Sequence, residues 1–495
     1  MGVVDQLKRL GKDTFSYGFS SALQKLITMF LFPIYARLLT PSDFGIQDLI
    51  LTAVYITSLF LILGLDSGVM LYYYEAKEDE KKTILSSYLW FEILVSLPVV
   101  AMMIIFSNQI CLIIFSDPSL SEYFRVGVLA IPFSLVVGAM LSTLRLTFQT
   151  KKFVILTTVG VFLQLGSAVL FVIIYGMGVR GILISILISY ALQSILGGIF
   201  TFRSYTISFS RLWMKKLLKV GIPLIPAALS FWVMSYANRF FLINYADLEE
   251  IGLLSVVNRI SSILLLFLTA FSSAWGPYAY SIATDKEVAR VTYSKVLTYF
   301  MLLSMIAAVL LSLYSKELIL ILATSAYERG SSLIFIYALS SISWIVLYII
   351  GMGTGMAKKN YHYTVAVIGG ALLNTLLNYL LIPSYGVAGA AYATLTGNLL
   401  AMVYMYYAGQ YYFRVNYEFG KVFKILALSI LVAVGGIIID EYYEVWQLSL
   451  SLYKLIIFVF FVIMLFAIGV INLSLVKQGY SFLKTKYLNQ KSIQA

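Results

Sequence analysis

Ile84-Leu-Ser-Ser-Tyr-Leu-Trp-Phe-Glu-Ile-Leu-Val-Ser-Leu-Pro-Val-Val-Ala-Met-Met-Ile-Ile-Phe106 is a run of 23 residues with one charged side chain, Glu92. As an α-helix it extends about 34 Å, enough to cross a hydrocarbon layer of ~30 Å. Its apolar residues are continuous rather than alternating, which reads as a helix and not as a strand of a transmembrane barrel. Comparable runs recur at 14–37, 44–72, 123–149, 153–175, 181–202, 217–244, 250–280, 292–322, 331–356, 361–382, 387–413, 421–439 and 452–475, so that fourteen spans are predicted. The composition agrees. Of 495 residues 61% are hydrophobic and 12% charged, with a mean hydropathy of +0.91, whereas a soluble domain is about 45–50% apolar and about 25% charged. A water-soluble enzyme is thereby excluded, and the connections, all short, leave no room for a catalytic lobe.

One cysteine, Cys111, and one histidine, His362, exclude an internal disulfide, a thiolate cluster and a multi-histidine site, so neither a metal nor an organic cofactor is expected. The net charge of +12 resolves into a topology. With the amino terminus in the cytoplasm, 26 of the 35 Lys and Arg fall on the inner side, seven on the outer side, among them Arg239 and Lys454, and two, Lys25 and Arg259, within spans. Both termini are therefore expected inside, and nucleic acid need not be invoked. Residues 1–13 are polar and basic, so no cleaved leader is expected.

Laid on itself with an offset of about 207, the chain repeats. Phe44-Gly45 falls on Ile251-Gly252, Lys151-Lys152 on Lys358-Lys359, and Gly178-Val-Arg-Gly181 on Gly386-Val-Ala-Gly389 with one residue of slip. Six spans per repeat is an even number, so both halves insert with the same orientation, related by an axis along the membrane normal. The predicted organisation is an all-α polytopic membrane protein with two six-helix lobes, 1–210 and 211–415, followed by two additional helices and a cytoplasmic tail in 416–495.

Charges within spans are costly and tend to face a cavity or a partner. Lys25 lies roughly 16–18 Å from either end of span 1 and cannot snorkel that far. It either faces a cavity or pairs with a carboxylate such as Asp48 or Glu92. Arg259 sits roughly 13 Å into span 8. The two occupy symmetry-related span pairs, and two cations at an interface between lobes suit an anionic substrate, phosphate above all. Asp66, Glu92 and Arg145 lie toward the inner ends of spans 2, 3 and 4. They are candidates for an ionic lock or gate, Asp66 and Glu92 also for coupling to a proton or sodium ion, and Arg145 for a weaker substrate contact. Asn374 and Asn378, one turn apart, are expected to bond a neighbouring helix. His362 is expected to be solvated at the inner interface. Gly351-Met-Gly353-Thr-Gly355 lacks the Lys-Ser/Thr of a phosphate loop and reads as close helix packing.

Pro33-Ile-Tyr-Ala-Arg-Leu-Leu-Thr-Pro-Ser-Asp-Phe-Gly45, with Leu63-Gly-Leu-Asp-Ser-Gly68 after it, resembles the polysaccharide transporter family, the Wzx-type flippases of the multidrug/oligosaccharidyl-lipid/polysaccharide exporter superfamily. The likeness extends over essentially the whole chain. It implies a flippase of the bacterial cytoplasmic membrane that moves undecaprenyl-pyrophosphate-linked oligosaccharide, such as an O-antigen unit, by alternating access without covalent chemistry. It further implies a central, often cationic cavity for the pyrophosphate, which Lys25 and Arg259 match in kind and position, and membrane lipids and polysaccharide assembly proteins as partners.

Two rivals share the superfamily. A lipid II flippase handles another polyprenyl pyrophosphate, and a small-molecule cation exporter predicts an acidic cavity, which the basic central charges disfavour. A membrane glycosyltransferase or polysaccharide polymerase needs a sizeable loop with catalytic groups, and the outer loops are short.

Overall fold

The computed structural model describes residues 32–283, 285–442 and 448–469. Every long regular element among them is an α-helix: α1 (Pro41–Ile62), α2 (Leu65–Tyr72), α3 (Glu78–Ile105), α4 (Ser107–Phe115), α5 (Ser121–Leu146), α6 (Thr150–Ala168), α7 (Gly178–Thr201), α8 (Arg211–Gly221), α9 (Ile225–Tyr236), α10 (Asn238–Tyr245), α11 (Leu248–Ser261), α12 (Ile263–Ile282), α13 (Lys286–Leu313), α14 (Ser315–Leu322), α15 (Ile334–Ile350), α16 (Met352–Met356), α17 (Tyr361–Tyr412), α18 (Phe419–Tyr442) and α19 (Leu448–Ala467). Among the described residues ten helices are long and apolar enough to cross a membrane, or eleven counting the bent pair Leu248–Leu265 and Phe267–Ile282. The chain is a multi-pass helical membrane protein. Most of predicted span 1 lies outside the described residues, and the last span appears as the shorter apolar helix Leu452–Ala467. The 52 residues of α17 would extend about 78 Å, far beyond one bilayer crossing. It breaks at Gly386, whose φ of 51° and ψ of −131° suit only a residue without Cβ. Two predicted spans meet there.

The chain packs as two compact units. One contains the described residues up to Arg259 with Ile321–Tyr327 and Tyr363–Ala401, and the other contains Ile260–Leu320, Glu328–His362 and the described residues from Met402 onward.

The sequence repeat is written in local geometry. Thr40 caps α1 by accepting from the Asp43 amide at 3.2 Å, and Asp247, 207 positions on, accepts from the Glu250 amide at 2.9 Å. Gly178 and Gly386 turn with φ of 55° and 51°. Phe148 and Lys358 are both left-handed, and the next amide, of Gln149 or Lys359, closes onto the carbonyl of Leu144 or Thr354 at 2.8 and 2.9 Å; these turns are 210 residues apart, so here the register slips by three and Lys151-Lys152 do not fall on Lys358-Lys359.

Lipid is as apolar as a helix surface, so helices associate here through close backbone approach and polar contacts rather than through the hydrophobic effect. In the first unit a Cβ on Gly45 would lie 2.0 Å from the Leu248 carbonyl oxygen, and one on Gly252 would lie 1.9 Å from that of Pro41. At the other end of α1, a Cβ on Gly221 of α8 would lie 2.2 Å from the Leu63 oxygen. There α8 buries Trp213, Met214 and Leu217 against Leu65, Val69 and Tyr88 and leaves Arg211, Lys215 and Lys219 exposed. Asn378 donates to Asn374 at 3.0 Å, and Asn374 to Thr394 across the α17 turn at 3.4 Å, as expected of paired amides. In the second unit Gly353 abuts the Gly409 backbone, which is the packing role read from the glycine run.

Candidate functional site

Lys25 lies outside the described residues. Arg259, on α11, is half-buried in the first unit, with its guanidinium carbon 5.0 Å from the Phe44 ring centroid and 5.4 Å from that of Phe32. Phe44 in turn meets Phe32 and Tyr327 edge to face at 6.1 and 5.9 Å. Two rings thus lie against one cation, an arrangement their quadrupoles favour, with Tyr327 packed on the Phe44 ring. Asp48, Tyr35 and Tyr327 are close enough to act on Arg259 electrostatically.

Asp48 is engaged elsewhere as well. Arg239, 3% exposed, donates from Nε to Asp48 Oδ2 at 2.8 Å, and from Nη1 to the Ser235 carbonyl at 2.6 Å and Asn238 Oδ1 at 2.8 Å. Tyr236 lies against the guanidinium at 5.1 Å. The charge bias counts Arg239 among the residues of the outer side, and the structure buries it. Arg239 is a buried partner of Asp48, because a guanidinium with three hydrogen bonds can be desolvated where a bare charge cannot. Depth could have marked each as a charge in need of a partner, though not which partner: Asp48 is seven residues inside α1, and Arg239 is eight residues before Asp247. The result is a carboxylate between two guanidinium groups, a cluster with one net positive charge. A net positive charge of this kind suits an anion.

At the other end of the first unit, Glu92 is 1% exposed, lies in hydrogen-bonding range of Tyr88 and has an oxygen, Oε2, without a partner among the described residues. Asp66 is exposed and within electrostatic range of it. The Tyr205 hydroxyl, paired with Thr143 Oγ1 at 2.8 Å, stands beside the same carboxyl. Burial pushes the Tyr205 phenol well above its ordinary range, which keeps it a neutral hydrogen-bonding group. Arg145 is exposed, lies 5.8 Å from the Phe153 ring centroid and makes no ion pair among the described residues. Asp66 and Glu92 are therefore brought together, and Arg145 is not brought to them.

Two further polar sites depart from the sequence reading. His362 is not simply solvated. Its Nδ1 and Nε2 meet the hydroxyls of Tyr404 and Tyr412 at 2.9 and 3.2 Å, and its ring stacks on Tyr361 at 4.2 Å. Lys454, read as an outer residue, is fully buried and pairs with both Glu317 at 2.7 Å and Asp440 at 2.5 Å.

A family model described as "polysaccharide biosynthesis protein" matches residues 34–332, more than half of the chain. Among solved structures, the fold is similar to that of the lipid II flippase MurJ in an inward closed conformation, at 15% identity and a TM-score of 0.72, covering 91% of this chain and 98% of that one. It is also similar to an inward-facing multidrug resistance MATE family transporter, at 13% identity and a TM-score of 0.68, covering 78% and 94%. An outward-facing structure of a transporter of that family aligns at 13% identity and a TM-score of 0.57, covering 82% and 95%. A comparison with curated protein sequences gives no match.

Proposed function

The chain belongs to the family of polysaccharide biosynthesis proteins, and on that premise we propose that it is a flippase for undecaprenyl-pyrophosphate-linked oligosaccharide repeat units, acting without covalent chemistry. The observation that carries this reading is the union of that family with a flippase-like fold over 91% of the chain. The pyrophosphate is held by Arg259 and Lys25, with Arg145 as a weaker contact nearer the cytoplasm. One guanidinium–phosphate contact at ~4 Å contributes about 4 kcal/mol at an effective dielectric of ~20, before desolvation of both partners is subtracted. That gives the modest, reversible affinity a transporter needs. The rings around Arg259 supply flat apolar surface against which a sugar can lie.

Alternating access works between the lobes 1–210 and 211–415, with 416–495 as an addition. Glu92, with a buried oxygen unpartnered among the described residues, and Asp66 beside it take up the coupling proton or sodium ion. The protein resides in the bacterial cytoplasmic membrane with both termini inside, and works with the enzymes that assemble the glycan.

The test is depletion in cells followed by leaflet-specific labelling. Lipid-linked sugar accumulating on the cytoplasmic leaflet is the expected result, and normal export during depletion overturns the proposal. The likeness to MurJ favours one second reading, flipping of lipid II. Rescue of cells depleted of their own lipid II flippase would establish that reading instead.

A further inference from the structure

The second unit contains a cavity of about 640 Å³ that the transport reading does not use, lined by Glu287, Arg290, Ser294, Lys295, Arg414 and Glu418 among others. It lies where the first turns of α13, the end of α17 and the start of α18 converge, the end at which the charge bias of the sequence puts the cytoplasm. We propose that this cavity binds a phosphate anion, presented as the headgroup of an anionic membrane lipid.

Three cations and two carboxylates line it, and the carboxylates are already committed. Glu287 takes the Arg290 guanidinium through Nη1 at 2.6 Å. Glu418 accepts from Lys421 at 2.7 Å on one oxygen and from Thr298 at 3.0 Å on the other. Burial pushes the Glu418 carboxyl up, but those two hydrogen bonds and the nearby lysines prevail and hold it below the ordinary carboxylate range. It stays ionised and occupied. Lys295 and Arg414 are exposed and make no ion pair among the described residues. Arg290, paired with Glu287, rests its guanidinium carbon 5.5 Å from the Phe413 ring centroid, which leaves Lys295 and Arg414 as the cations that meet an anion. An oxyanion with three or four acceptor oxygens fits such a set of donors, and guanidinium and ammonium both bind it.

The surroundings favour a lipid as the source of the phosphate. Tyr406, Tyr417 and Phe419 form a ring cluster with centroids 5.3 to 6.4 Å apart, contiguous in sequence with the cavity residues Asn416 and Glu418. Aromatic girdles of this kind mark the depth of the headgroups. Val291, 54% exposed, lines the cavity and gives an acyl-glycerol backbone an apolar contact. Basic pockets between helix ends on the cytoplasmic side suit anionic headgroups in general.

The experiment measures thermal unfolding of the full-length protein in detergent with added phosphatidylglycerol, phosphatidylcholine or inorganic phosphate. Phosphatidylglycerol is expected to raise the melting temperature and phosphatidylcholine not to. In the double variant Lys295→Gln/Arg414→Gln the apparent affinity for phosphatidylglycerol should fall about tenfold or more. Lys295→Arg/Arg414→Lys should retain it, and its response stands in if the neutral variant fails to fold. Retention of phosphatidylglycerol by native mass spectrometry should follow the same order. If inorganic phosphate alone gives the full shift and the glutamine variant abolishes it, the anion site stands and the lipid source is overturned. Equal responses of wild type and both variants to every probe overturn the site itself. Transport plays no part in these readings, so they stand or fall apart from the flippase assignment.

Discussion

Gly45 and Gly252 are 207 residues apart and perform the same act on each other's helices. Each presents a bare Cα to the first residue of the facing helix, Gly45 to Leu248 and Gly252 to Pro41, and those two residues are themselves 207 apart. The internal repeat therefore meets itself in a two-fold crossing of α1 and α11, with matching caps at Thr40 and Asp247 just above it. A methyl group on either glycine would fall about 2 Å from a backbone oxygen, and backbone cannot swing aside as a side chain can. Gly45→Ala and Gly252→Ala are each expected to open the crossing. Amide exchange across 41–50 and 248–256 should rise and transport should fall, with the double variant no worse than additive. Unchanged exchange in both variants would mean that the crossing is not a tight contact in the membrane.

The Arg239–Asp48 pair predicts a different phenotype. Removing the guanidinium leaves a largely buried carboxylate without its hydrogen-bond donor, a loss of about 3–5 kcal/mol in comparable pairs. Arg239→Ala should therefore lower the amount of folded protein recovered in detergent. Arg239→Lys should restore little, since one ammonium cannot reach the three oxygens that Nε and Nη1 satisfy from a planar fork. Monodispersity and melting temperature after solubilisation are the measurements. A normal profile for Arg239→Ala would show that Asp48 is satisfied by other means.

Lys454 makes a third case, one cation between two carboxylates from α14 and α18, with Lys316 bridging Glu328 at 2.6 Å and the Asp440 carbonyl at 3.0 Å. The two Lys454 pairs bind α19 to α14 and α18. Lys454→Met alone strands two buried negative charges and should sharply reduce expression. Lys454→Met with Glu317→Gln and Asp440→Asn removes all three charges, and expression should recover. Failure of the triple variant to recover would mean that the ions do more than anchor the helix.

The spans were legible because a run such as 84–106 carries its own evidence: its length matches the bilayer, and only a helix can satisfy its backbone there. The repeat was legible at Phe44-Gly45, where the helix crossing demands glycine. Partners were not. Asp48 and Arg239 are 191 residues apart in sequence, and nothing local in either stretch specifies the other. Lys454 lies two residues into a predicted span, where hydropathy reads a lysine as a snorkelling end rather than as the centre of a buried cluster. The break between 361–382 and 387–413 was legible as well, and the positive φ only places it at Gly386, while the aromatic surroundings of Arg259 draw Phe32 and Phe44, with Tyr327 against Phe44, from separate segments. Arg259 itself stood out from sequence alone because a charge at mid-span requires a reason.

That reason is open to a direct test. Arg259 is half-buried beside the Phe32 and Phe44 rings, and Asp48 keeps its bond to Arg239 when Arg259 is removed. If Arg259 holds the pyrophosphate, Arg259→Ala should lose most transport at near-normal abundance, a pattern opposite to that of Arg239→Ala. Arg259→Lys keeps the charge but loses planar stacking on Phe44, so it should recover part of the activity and bind more weakly at raised ionic strength. Lys25→Ala should behave like Arg259→Ala, and Lys25→Arg should be tolerated in part. Transport is read from leaflet-specific labelling of the lipid-linked sugar, and abundance from the solubilised protein in the same cells. Full transport by Lys25→Ala and Arg259→Ala at normal abundance would mean that the anion is bound elsewhere, and the cationic site would have to be given up.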